Sequence, residues 1–184
     1  MWRHCLGRAV KAYESNGSLL FHRQVTPFDI ITARTFLEII GTIMAGMLVL
    51  GVAIILGYMK PPQSYGLIVL GLLYQSIFCF ATALLAASLS EISDLVEKVV
   101  SIISYLSLPF SGAFIMVAWL PLRYQWILLL SPMANNIEMI RGGQFGIEAS
   151  VRYDLFYNTW MTVLLLLIGI ILTAGVRKHL EITG

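Results

Sequence analysis

Four long apolar runs divide the chain, and the polar residues gather into short connections between them. The runs are 36–59, 64–90, 99–122 and 155–176. A membrane-spanning helix needs about 20 mostly apolar residues, and each run passes that test. The first carries one charge, Glu38, near its start, and the other three carry none. Pro109 and Pro121 interrupt the third. In lipid every backbone N–H and C=O must find a partner within the segment, so the runs are expected to be helices. The pattern predicts an all-α integral membrane protein with about four transmembrane helices, read as a single transmembrane domain over 1–184.

Two further segments are too short or too polar to cross. In 11–24, Leu19, Leu20 and Phe21 stand beside His22 and Arg23. That mixture suits a short amphipathic helix lying on the cytoplasmic membrane surface; the plainer alternative is a solvated arm with a few anchoring hydrophobes. In 126–145, an apolar start at Trp126–Leu130 gives way to Ser131-Pro132 and then Asn135-Asn136. It reads as a pair of short helices dipping into the outer leaflet, or as an ordinary surface loop.

Composition agrees with the pattern. Hydrophobic residues make up 58% of the 184 and charged residues 12%, against roughly 25% charged in a soluble domain. The net charge of +2 forms no groove-sized basic patch, so no nucleic-acid partner is expected. The distribution of charge is more informative. Arg3, Arg8, Lys11, Arg23, Arg34, Lys98, Arg177 and Lys178 fall on one side of the predicted spans, and Lys60, Arg123, Arg141 and Arg152 on the other. The richer side should be cytoplasmic, which puts both termini inside. Trp119, Tyr124, Trp126, Tyr157 and Trp160 collect at the predicted outer interface, where aromatic belts sit.

Candidate chemistry is sparse. Arg34 and Glu38, four apart, share a helix face and are expected to form an interfacial ion pair. Small residues recur at packing distance: Gly41 with Ala45, Ala83 with Ala87, Ala86 with Ser90. The loop from Glu91 to Lys98 is acidic and short. Cys5 and Cys79 lie far apart in sequence, so no disulfide is expected and neither has metal-ligand spacing. None of the four lysines sits in a Gly-x-x-x-x-Gly-Lys-Ser/Thr phosphate loop, the three histidines are scattered, and no Gly-x-Ser-x-Gly elbow occurs. No enzyme activity, cofactor or metal is expected.

Two stretches resemble a known family. The first runs from Asn16 through Gly-Ser-Leu-Leu-Phe-His-Arg-Gln-Val-Thr-Pro-Phe to Asp29, followed by Ala33-Arg34 and Leu37-Glu38. It is similar to the segment before the third span in permeases of type 2 ABC exporters. The second comprises Ser131-Pro-Met, Ile137-Glu-Met-Ile-Arg141, Gln144-Phe-Gly146 and Tyr153-Asp154. It resembles the C-terminal portion of that family, most of all the branch exporting capsular polysaccharide, with O-antigen exporters as near relatives. The resemblance covers Ser15 to Glu181.

The resemblance implies a permease that works as a dimer with a separate dimeric ATP-binding subunit and moves a polysaccharide. It places ATPase coupling at Leu19, Leu20, Phe21 and Arg23, with a second contact at the Glu91–Lys98 loop. It makes 126–145 the re-entrant helices at the periplasmic mouth, where Pro132, Glu138, Arg141, Phe145 and Gly146 are the residues of interest. The spans here correspond to the family's third to sixth; its N-terminal interface helix and first two spans are expected to be absent, apart from a remnant in 1–10. Glu138 and Arg141, three apart, can pair on one helix face. An uncharged path for sugars would use aromatic and hydroxyl or amide groups, and Tyr74, Gln75, Tyr105 and Ser107 are the candidates. The competing readings are an ABC permease for lipid or drug, and a shortened membrane scaffold that transports nothing.

Overall fold

The computed structural model describes residues 1–16, 25–93, 95–146 and 150–183, with only the backbone described from 177 onward. Among the described residues there are seven α-helices and no strand. They are α1 (Trp2–Ala9), α2 (Pro27–Ile55), α3 (Tyr65–Ile92), α4 (Leu95–Phe110), α5 (Leu122–Leu129), α6 (Pro132–Phe145) and α7 (Leu155–Thr183). Three are long and apolar enough to cross a membrane: α2, α3 and the Leu155–Val176 part of α7.

The helix ends are set by local chemistry. α2 begins at Pro27, nine residues before the apolar run. Thr26 and Asp29 form a reciprocal capping box there. Asp29 Oδ2 accepts from the Thr26 N–H at 2.9 Å, and Thr26 Oγ1 accepts from the Asp29 N–H at 3.2 Å. Proline at the first helical position lacks an N–H that would have no partner anyway. The helix stops where Gly57 turns left-handed (φ 75°), with the Tyr58 N–H returning to the Ala53 carbonyl at 2.9 Å.

The third apolar run departs from expectation. The sequence predicted one span over 99–122, but α4 ends at Phe110 after 16 residues. Pro109 withdraws a backbone donor in its last turn, and Gly112 follows at φ 74°. A short 3-10 turn, Val117–Trp119, and then α5 replace the second half of the expected helix.

By its internal packing the chain divides into two compact units. One comprises Met1–Ile40, Ile77–Tyr105 and Thr162–Gly184. Its core is lined by Trp2, Cys5, Leu6 and Ala9 of α1, by Ile31 of α2, and by Cys79, Ala83, Leu84 and Ala87 of α3, all buried. α1 is amphipathic: Arg3, His4, Gly7 and Arg8 form its exposed face. α3 and α7 approach closely at Gly169, where a Cβ would lie 3.0 Å from Leu84 Cβ and 3.1 Å from the Ala81 carbonyl. Of the small-residue pairs, Ala83/Ala87 and Ala86/Ser90 are buried, whereas Gly41 faces open space.

The other unit comprises Gly41–Ser76 and Leu106–Met161. Val117, Leu128 and Ala134 form a small apolar cluster, with Leu120 and Leu129 against it. The apolar surface of α2 stays uncovered: Phe36, Leu37, Met44, Leu48 and Ile55 are all exposed, as expected of a face whose solvent is lipid.

Candidate transport-site elements: a braced helix break and a buried amide ladder

The broken end of α4 creates a specific problem. A helix that stops in an apolar setting leaves carbonyl and N–H groups without partners, each costing several kcal/mol in hydrocarbon. α6 supplies the partners. Arg141 donates from Nη2 to the Gly112 carbonyl at 2.9 Å. Glu138 Oε1 accepts from the Val117 N–H at 3.3 Å. The two side chains also pair with each other, as expected for positions three apart on a helix. Glu138 is fully buried, and 14% of the Arg141 side chain remains accessible. The pair is therefore no exposed surface bridge. It braces the 112–117 break against α6. Glu138 Oε2 has no hydrogen-bond partner.

A second polar system crosses the same unit. Asn158 Nδ2 on α7 donates to Asn136 Oδ1 on α6 at 2.8 Å. Asn136 Nδ2 donates on to Gln75 Oε1 on α3 at 3.0 Å. Both asparagines are fully buried and Gln75 is 7% exposed. Buried amides survive in such a place only when bonded, and the three amides bond one another. The ladder ends at Asn158 Oδ1, which has no partner. Asn135 anchors α6 separately. Its Nδ2 donates to the Leu129 carbonyl at 2.6 Å, and its Oδ1 accepts from the Asp154 N–H at 2.8 Å.

Glycines allow α6 to lie this close to α3. A Cβ on Gly143 would sit 2.8 Å from the Ile68 nitrogen and 2.9 Å from the Ser64 carbonyl. A Cβ on Gly71 would meet Ile140 Cγ1 at 2.7 Å. The Gly143 carbonyl accepts from the Ser64 N–H at 2.9 Å, and Gln144 Nε2 donates to the Lys60 carbonyl at 2.8 Å. Pro132 opens α6, and Gly146 ends it left-handed (φ 62°). A side chain at Gly146 would collide with Gln63. Phe145 is 42% exposed.

The path-lining candidates separate. Tyr74 and Gln75 sit together on α3. The Tyr74 hydroxyl shares a hydrogen bond with Thr159 at 2.7 Å, and Gln75 belongs to the amide ladder. Ser107 is half-buried near the end of α4. Tyr105 falls in the other compact unit, 68% exposed, with Arg3 stacked 5.9 Å from its ring centre. Leu19, Leu20, Phe21 and Arg23, the coupling candidates, lie outside the described residues.

In that other unit, the segment 1–16 is fastened to the helix ends. Glu38 Oε1 meets Arg8 Nε at 2.8 Å, a partner that spacing along α2 did not indicate. Arg34 donates to the Arg8 carbonyl and to Ser15 Oγ, each at 3.0 Å. Lys11, at φ 53°, donates its N–H to Ser90 Oγ at 3.2 Å, and its ammonium lies 3.1 Å from Glu97. Tyr13 is buried behind this turn, and burial pushes its phenol above the ordinary tyrosine range. The Ser88 and Thr173 hydroxyls face it but bond each other at 3.0 Å, and the Tyr13 oxygen makes no hydrogen bond.

The described residues thus combine three long apolar helices with a shorter one whose broken end is braced by a buried ion pair. The sequence profile of the ABC-2 type transporter family matches residues 18–145. The chain belongs to that family. It is a transporter membrane subunit, and enzyme chemistry is not its role. Among curated relatives, the capsule polysaccharide export inner-membrane protein BexB of Haemophilus influenzae is 31% identical over 181 residues. The capsule polysaccharide export inner-membrane protein CtrC of Neisseria meningitidis serogroup B is 32% identical over the same length. Each alignment covers 98% of this chain and 68% of the relative. The braced break and the amide ladder are read below as parts of a permease.

Proposed function

We propose that this chain is the permease subunit of an ABC exporter that carries a capsule-type polysaccharide across the bacterial inner membrane, driven by a separate ATP-binding subunit. The observation that carries the reading is the similarity, over 98% of this chain, to two capsule polysaccharide export proteins. Deleting the gene in its host should remove surface polysaccharide while polymer accumulates inside, and a plasmid copy should restore export. Normal surface polysaccharide in the deletion strain, with a changed lipid or drug profile instead, would favour the lipid or drug reading.

In this proposal α4 and the 111–121 stretch together make a fourth crossing. α4 alone spans about 24 Å, short of the roughly 30 Å hydrocarbon core. Non-helical backbone at that depth is tolerated where protein groups satisfy it, which is the service Arg141 and Glu138 give to Gly112 and Val117. Four crossings put both termini in the cytoplasm, in line with the Lys and Arg bias. α5 and α6 then form the re-entrant pair at the periplasmic mouth. Reporter fusions after Lys60 and Arg152 should read periplasmic, and one after Glu97 cytoplasmic. A cytoplasmic signal after Arg152 is incompatible with the re-entrant pair.

The ATP-binding partner would dock on the cytoplasmic side through Leu19, Leu20, Phe21 and Arg23, with a second contact at the Glu91–Lys98 loop, and the permease would act as a homodimer. Replacing the three apolar residues with Ser should abolish stimulation of ATP hydrolysis by an otherwise well-inserted permease. Unchanged stimulation would remove this segment from the coupling route. The polymer path is proposed to run past Tyr74, Gln75 and Ser107 of the one unit.

A further inference from the structure

The turn that follows α1 meets the ends of three other helices. Arg8 pairs with Glu38 of α2 at 2.8 Å, and Arg34 of α2 donates to the Arg8 carbonyl and to Ser15 Oγ. The Lys11 N–H donates to Ser90 Oγ near the C-terminal end of α3 at 3.2 Å. The Lys11 ammonium lies 3.1 Å from Glu97 Oε2, in the first turn of α4. Ala12 and Tyr13, the next two residues, are buried, so the turn is wedged into this unit. It is closed by the Ser15 N–H returning to the Lys11 carbonyl at 3.1 Å and by Asn16 Nδ2 donating to the Ala12 carbonyl at 2.7 Å.

Lys11 holds this place in a left-handed backbone conformation, φ 53°, which glycine adopts freely and lysine rarely. What lysine brings and glycine lacks is the ammonium on Glu97. The acceptor is well placed, because a carboxylate in the first turn of a helix is favoured by the unpaired N–H groups there. We propose that Lys11 is a positioning residue for energy coupling, a role that rests on the permease reading above. It ties the turn after α1 to the start of α4, so that the two contacts assigned to the ATP-binding subunit are displaced together. Leu19 of the first contact follows eight residues after Lys11, and Glu97 belongs to the second contact itself. A pull on either one therefore loads the same ion pair. Without the tie, the turn would still hold α2 through Arg8 and Arg34, but α4 would lose its ionic link to it.

The test uses the whole chain in detergent, first alone and then with its ATP-binding subunit. Lys11→Gly removes the ammonium and relieves the left-handed strain, so the fold is not at risk. In the chain alone, hydrogen exchange of the backbone amides at 99–102 should quicken roughly two- to fivefold, with the melting temperature unchanged or raised. Glu97→Gln should do the same, and the double change should add clearly less than the sum of the two. Lys11→Arg should keep wild-type exchange, and the swap Lys11→Glu with Glu97→Lys should return most of it. With the ATP-binding subunit, both single variants should at least halve the stimulation of ATP hydrolysis at wild-type abundance, and Lys11→Arg should retain it. Unchanged exchange in both single variants, or strictly additive changes, would overturn the tie. Faster exchange with wild-type stimulation would overturn its part in coupling. A wild-type chain that stimulates no hydrolysis, with the exchange response intact, would sink the permease reading and still support the tie.

Discussion

Glu138 and Arg141 stand one turn apart on α6, and between them they satisfy both sides of a break in another segment: the Gly112 carbonyl takes a hydrogen bond from Arg141 at 2.9 Å, and the Val117 N–H gives one to Glu138 at 3.3 Å. The pair is thus a backbone brace as well as an ion pair. Breaking one partner of a buried pair typically costs about 3–5 kcal/mol; since 14% of the Arg141 side chain reaches the surface, about 3 kcal/mol is expected for Glu138→Gln. Arg141→Gln should cost a similar amount. The double change should cost clearly less than the sum, because no lone buried charge remains. Thermal unfolding in detergent, followed by monodisperse fraction, gives the three values. Strict additivity would show that the two residues act independently. In cells, each single variant at wild-type abundance should lower surface polysaccharide.

Asn136 occupies the middle of the amide ladder, so its loss strands two neighbours at once. Asn136→Leu leaves Gln75 Oε1 without its donor and Asn158 Nδ2 without its acceptor. The expected destabilisation is about 1–3 kcal/mol. Asn158→Leu strands only Asn136 Oδ1 and removes an oxygen that already lacks a partner, so it should cost less. The order of the two melting temperatures checks the assignment.

Gly143 and Gly71 make a paired prediction. Alanine at 143 drives its methyl into backbone atoms, at 2.8 Å from the Ile68 nitrogen and 2.9 Å from the Ser64 carbonyl. Alanine at 71 meets first the Ile140 side chain, which can turn aside. Overpacking costs typically about 1–3 kcal/mol, with Gly143→Ala at the upper end and Gly71→Ala at the lower. Equal effects from the two would contradict the backbone contact at Gly143.

Tyr13 gives a pH signature. Burial raises its phenol above the unfolded value of about 10, so the folded chain holds a proton that the unfolded chain releases first. Below that value the group imposes no penalty. As pH climbs past it, stability drains until the folded phenol also ionises. Tyr13→Phe should therefore flatten the loss of thermal stability above about pH 10. At neutral pH it should cost nothing or stabilise slightly, because the hydroxyl makes no hydrogen bond. Parallel alkaline profiles for the two proteins would contradict the buried environment.

What was legible in the sequence depended on whether hydrophobicity or bonding set the boundary. α3 was expected over 64–90 and runs Tyr65–Ile92, since Pro61-Pro62 and the acidic loop limit it from both sides. α2 begins nine residues before its apolar run because a capping box starts it, and a hydropathy count is blind to a Thr26–Asp29 exchange of hydrogen bonds. The break after Phe110 was foreshadowed by Pro109, yet charge-free composition hid it. Glu138 and Arg141 were found from their spacing. What they hold, Gly112 and Val117, is 29 and 21 residues away in sequence, and no local pattern points there. Asn158 went unremarked inside the last apolar run, although a lone amide amid 22 apolar-run residues is itself a signal of a buried partner. Glu38 was assigned to Arg34 by helix spacing, while Arg8 from a separate segment reaches it.

The 29 residues of α2 give it a length of about 43 Å at 1.5 Å per residue, against a hydrocarbon core of roughly 30 Å. The excess emerges where Asp29, Arg34 and Glu38 make the helix polar, at the capped end. That stretch is a stiff post, and Arg8, Ser15 and the Thr26 cap grip it. A loop at the same place would absorb a push by changing its dihedrals. A hydrogen-bonded helix has no such freedom, so a push at Thr26 travels along the helix axis instead of dissipating at the cap.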